Sequence, residues 1–110
     1  MKYASRMGQN LIAFVRDDNE KAVYPAGRFL GVDTTDGDQM QIFFEKEDGA
    51  LNAAIVTIDH TDADGVGHKR VCQALANAMA PNKAGTYVTF ANDLTKEFIH
   101  SDITAIASIA

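Results

Sequence analysis

One cysteine, Cys72, is all the thiol this chain of 110 residues carries, so an internal disulfide is excluded. Long apolar runs are missing too. No stretch approaches the roughly 20 apolar residues of a membrane span. The N-terminal MKYASRMGQNLIAFVRDD has charge but no apolar core of signal-peptide length before Asp17 and Asp18. Basic patches are equally scarce. Net charge is −5, the lysines and arginines are scattered, and only Lys69 and Arg70 are adjacent. Neither a nucleic-acid backbone nor an anionic membrane surface is a natural partner for such a chain. No internal repeat, low-complexity tract or linker breaks the sequence. What remains is a soluble protein of one domain, residues 1–110, expected to stay in a cytoplasm or to be packaged from one.

The strongest signal present is the stretch Asp64–Pro81, DGVGHKRVCQALANAMAP. Val71, Cys72, Ala74, Leu75, Ala78 and Met79 recur at spacings of three and four, which gathers them on one helical face. Lys69, Gln73 and Asn77 form the opposite, wet face. Asp64, or Asp62, is placed to cap the start, and Pro81 ends the helix because it has no N–H to donate. The spacing therefore predicts one amphipathic helix over about 65–80. Burial of Val71, Leu75 and Met79 is worth about 1.5–3 kcal/mol each, and an isolated helix of this length is marginal in water. It needs a sheet to lie on.

The rest of the chain reads as strands. Lys2–Ser5 is a short edge candidate, and Asn10–Arg16, with Leu11, Ile12, Phe14 and Val15, is a buried one. Asp17–Glu20 turns, Lys21–Tyr24 continues, and Pro25-Ala26-Gly27 breaks the run. Arg28–Asp33 is a strand in which Gly31 marks a bulge or a close approach. After a turn over Thr34–Asp38, Gln39–Lys46 and Leu51–Asp59 form a hairpin across the Asp48-Gly49 step. Met40, Ile42 and Phe44 share one face of the first, while the second is apolar on both faces. His60–Gly67 is a polar loop feeding the helix, and Asn82–Gly85 a tight turn leaving it. Thr86–Ala91, Thr95–His100 and Asp102–Ile109 complete the set. The last is open to a helical reading, since Ile103, Ile106 and Ile109 fall three apart. The expectation is an α+β fold: a mainly antiparallel sheet of six to eight short strands with one helix packed on it.

Each candidate site competes with a plainer explanation. Asp62 and Asp64 with Gly65 supply the D-x-D-G core of a calcium loop, but a loop started at His60 ends on Val71 where a bidentate Glu is required. Asp33, Asp36 and Asp38 form a weaker version, read as a turn. His60 and His68 with Asp62 or Asp64 have the chemistry of a transition-metal set, yet one loop histidine and one first-turn histidine are ordinarily surface residues. Gly65-Val-Gly67-His68-Lys69 sits at a helix start, where anions bind, but lacks the GxxxxGK[ST] pattern and is flanked by Asp59, Asp62 and Asp64. His100-Ser101-Asp102 holds the three residue types of a nucleophilic triad. Sequence neighbours in extended chain point to opposite faces and cannot form the relay, so these read as a turn. Cys72, on the apolar helix face, is a small buried thiol with no base placed to activate it. No catalytic, cofactor or metal residue is assigned, and the protein is expected not to be an enzyme.

The runs GHKRVCQALANAM, TYVTFAND and EFIHSDITAI, joined by a Pro/Asn/Lys/Gly turn, resemble small proteins of about a hundred residues encoded by marine bacteriophages, cyanophages among them. The resemblance covers roughly residues 55–110. It implies a structural, virion-associated protein with no catalytic residues to carry over, found in the virion or the host cytoplasm. It also implies a homo-oligomer that touches other virion proteins through repeated contacts. The alternative is a small module that binds a metal, a small molecule or a host protein, with His60–His68 as its best feature.

Overall fold

The computed structural model describes residues 10–36, 38–46, 53–61, 65–80 and 86–110. Within them the chain forms β1 (Leu11–Val15), β2 (Lys21–Pro25), a 3-10 turn (Ala26–Arg28), β3 (Phe29–Asp36), β4 (Gln39–Phe44) and β5 (Ala54–His60). Then come α1 (Gly67–Met79), β6 (Tyr87–Asn92), β7 (Glu97–Phe98) and β8 (Ile103–Ile109). The architecture is α+β: two four-stranded sheets, ordered β2-β1-β6-β7 and β3-β4-β5-β8, with one helix. Every pairing is antiparallel but one; β1 and β6 run parallel. The helix and five intervening strands or turns separate these two in sequence, so no local turn rule could announce the pairing.

The alternation of side chains puts both sheets onto one core. Met40, Ile42 and Phe44 of β4 and Ala54, Val56 and Ile58 of β5 are all buried, and their neighbours are half-exposed. The β4–β5 register runs from Gln39 opposite Asp59 to Phe44 opposite Ala54, the expected hairpin; its turn lies outside the described residues. From the other sheet Ile12, Phe14 and Phe90 face inward. Aromatic rings join the layers. Tyr24 stacks on Phe44 at 4.4 Å between centroids, and Phe14 meets Phe44 at 5.8 Å and Phe90 at 5.4 Å. Offset or tilted pairs of this kind add to the area they bury.

α1 lays Val71, Leu75 and Ala78 against β1, β5 and β6, strands of both sheets. Lys69, Gln73 and Asn77 are exposed, as the spacing predicts. The helix is closed by a residue the sequence reading passed over. Asn10 is buried and donates through Nδ2 to the carbonyls of Ala78 at 2.6 Å and Ala80 at 3.0 Å, while its Oδ1 accepts the Thr86 N–H at 3.1 Å. It thereby satisfies carbonyls that the last helical turn leaves orphaned.

Several expectations need correcting. The N-cap position of α1 is Val66; Asp62 and Asp64, the expected capping side chains, lie outside the described residues, as do Pro81, Lys2–Ser5 and Asn82–Gly85. β3 continues through Asp36, where a turn was expected from Thr34. β5 runs on through His60, so the loop starts later than composition suggests. Thr95–His100 contributes only two strand residues, because Asp93–Lys96 turns the chain first. Ile103–Ile109 is the expected strand rather than the helical alternative, and Ile103 and Ile106 are both buried despite their helical spacing. Register shifts in the β5–β8 pair insert an extra residue between them and restore the inward face. Gly31 does mark a bulge: Phe29 pairs with Phe44 and Gly31 with Phe43, which leaves Leu30 over. A side chain at Gly31 would meet nothing within 4 Å, so close approach is not its role.

Candidate functional site

Arg70, Gln73, Ala74 and Asn77 stand at i, i+3, i+4 and i+7 on α1 and form one stripe along the helix. Opposite them lie Ile99 and His100, from the connection between β7 and β8. Together they line a groove of about 380 Å³, within the size range of small-molecule sites. Ala74 and Ile99 provide apolar surface, and the two amides, the imidazole and the guanidinium provide polar edges.

One ion pair fixes the far wall. Arg70 Nε–H donates to Asp102 Oδ2 at 2.7 Å. The backbone carbonyl of Asp102 accepts the Thr61 N–H at 2.7 Å, which ties the turn to the end of β5. The Arg70 hydrogen bond holds the Asp102 carboxyl below the usual carboxylate range. His100 belongs to the same turn. Its Nδ1 accepts the Asp102 backbone N–H at 3.0 Å, which puts the proton of a neutral ring on Nε2. The same nitrogen is 3.8 Å from Asp102 Oδ2.

That arrangement decides the fate of His100-Ser101-Asp102. In a relay, the histidine Nδ1–H donates to the carboxylate; here Nδ1 is the acceptor and the carboxylate is bound to Arg70. Ser101 is exposed in the turn. Of the three only His100 lines the groove, and they form no relay.

The other candidates are scattered. His60 is buried, not a surface residue, because it ends β5 opposite Ile103. Its Nδ1 lies 3.1 Å from the Thr61 carbonyl, and its Nε2 has no partner. His68 is exposed on α1, so the two histidines do not share an environment. Gly65 has φ of +78°, a conformation glycine adopts without strain, and that geometry accounts for the residue at the helix entrance. Asp33 is exposed in β3 and Asp38 is exposed beside β4. Among the described residues no group of three or more His, Cys, Asp or Glu is placed to hold a metal ion. No helix there is long and apolar enough to cross a membrane. Cys72 is half-buried, and burial pushes its thiol pKa up, away from reactivity.

No family model, curated protein or solved structure matches the chain.

Gln73 and Asn77 were legible as one helical face, but nothing in the sequence marked what faces them. The groove exists because β8 pairs with β5 and brings the 99–102 turn over α1. That pairing depends on strand order.

Proposed function

We propose that this protein is a non-enzymatic structural or assembly protein of a bacteriophage virion, acting through contacts between copies of itself. One observation carries the assembly part: an apolar surface on the outward side of the β2-β1-β6 layer. Leu11 lies in register with Pro25 on one side and Tyr87 on the other, and Val23 sits two residues along, opposite Ala13. Leu11, Val23 and Tyr87 are 41%, 45% and 58% exposed. Contiguous apolar side chains on a sheet face are commonly covered by a partner, and a second copy is the partner that repeated virion contacts supply. The phage context rests on the resemblance carried by residues 55–110. Other virion proteins are further partners under this reading.

Sedimentation velocity of the purified chain tests it. A multimer is expected at tens of micromolar, and Leu11→Glu with Tyr87→Ser should shift it toward monomer. A wild-type chain that stays monomeric overturns the oligomeric reading.

The groove beside α1 favours a second reading, a small binding module for a small molecule or a host protein. Saturable NMR shifts at Gln73, Asn77 and His100 in a fragment screen, unaffected by the Leu11/Tyr87 substitutions, would separate it from the first.

A further inference from the structure

The groove beside α1 selects by chemistry as well as by size. Its one permanent charge among the described residues, Arg70, is already bound to Asp102 at 2.7 Å, so nothing on its walls recruits an ion. Gln73 and Asn77 are the polar groups left to a ligand. Both are exposed, and neither carboxamide makes a hydrogen bond to a described residue. Each carries donors and an acceptor side by side, so the group that satisfies it must offer an acceptor beside a donor. A residue in an extended chain does this, because its N–H and C=O face the same edge.

The spacing of the two amides matches such a chain. They lie four residues apart on α1, which separates them by about 6 Å along the helix. In an extended chain the groups on one edge recur every second residue, at about 6.6–6.8 Å. The stripe from Arg70 to Asn77 rises about 10.5 Å, the length of three extended residues. Across the groove, His100 keeps Nδ1 on the Asp102 N–H, which leaves Nε2–H as its donor. The middle residue of a bound strand turns its carbonyl to that opposite edge. Ala74 and Ile99 supply apolar surface for its side chain. A nucleobase edge also pairs with a carboxamide, but with one and not with two at a strand repeat. We propose that the groove binds an extended segment of a protein partner, about three residues long, read through its backbone by Gln73 and Asn77. The inference rests on the binding-module reading of the groove and names its ligand.

NMR of the side-chain amide resonances tests this, with N-acetyl-Ala-Leu-Ala-amide as the probe. The same peptide N-methylated at both alanines is the control, and adenosine and a small-fragment set are separate arms. The expected result is a saturable shift of the Gln73 and Asn77 signals with the peptide. The N-methylated control should bind at least about fivefold more weakly, since two hydrogen bonds are lost. Gln73→Ala with Asn77→Ala places a strong helix former at two exposed positions, so the variant should stay folded and lose the response. Equal affinity of the two peptides, or binding unchanged in that variant, overturns the proposal. Fragments or adenosine that shift the groove while the peptide does not overturn the peptide ligand and leave the binding-module reading standing. No response in any arm overturns both.

Discussion

Asn10 holds three backbone groups with one side chain, two at the end of α1 and one just before β6, and its loss should be felt at both places. Asn10→Ala leaves the Ala78 carbonyl and the Thr86 N–H without the partners they have now. The expected loss is about 1–3 kcal/mol, read from urea unfolding, with faster amide exchange in the last turn of α1. Asn10→Asp should be worse than alanine, because a carboxylate then faces two carbonyl oxygens. Asp102 gives a pH signature. Its folded pKa is depressed, chiefly by the Arg70 hydrogen bond, so its contribution is complete above the unfolded value and disappears as pH falls through the folded one. Below about pH 4, wild-type stability should therefore fall more steeply than that of Asp102→Asn. Parallel curves from acid titration monitored by circular dichroism would contradict the assignment. Arg70→Met should flatten the curve in the same way.

At the scale of elements, the turn between β6 and β7 is built on an Asx arrangement in which Asn92 Oδ1 accepts the N–H groups of Leu94 and Thr95. It closes with Lys96 at φ of 59°, the one non-glycine residue with positive φ among those described. A left-handed lysine costs about 1–2 kcal/mol relative to glycine. Its exposed pairing with Asp93 offsets little of this. Lys96→Gly should therefore raise stability by up to about 1 kcal/mol after the entropy of a freer unfolded chain is counted, and Lys96→Val should lower it. Thermal unfolding checks both. Several elements were legible from local sequence: α1 from its three-and-four spacing, β4 from alternation, and β5 as an apolar run joined to it across Asp48-Gly49. What stayed hidden depended on distant neighbours. His60 looks like the first residue of a polar loop, and only its pairing with Ile103 buries it. The Ile103/Ile106 spacing suggests a helix until a bulge is allowed for. Asn10 precedes a strand and gives no hint that a helix end 68 residues away is its partner. The groove was hidden for the same reason, since each of its walls is ordinary and their meeting is set by topology.

For the whole molecule, the two sheets share one core but present unequal outsides. The β2-β1-β6 surface carries Leu11, Val23 and Tyr87 in the open. An assembly built on it stabilises the folded state by mass action. The unfolding midpoint of wild-type protein should accordingly rise with concentration across a hundredfold range, and that of the Leu11→Glu/Tyr87→Ser variant should not.

The parallel seam between β1 and β6 also has a consequence during synthesis. Leu11 and its partner Tyr87 are far apart in sequence, so β1 leaves the ribosome well before the strand it pairs with. Until then β1 and β2 form a lone hairpin with an open inner edge and no third strand, a state with little independent stability. The native layer can close only after β6 has emerged. Every nascent copy thus passes through an interval in which an apolar strand edge faces its surroundings, and ribosome-proximal chaperones have an interest in that interval.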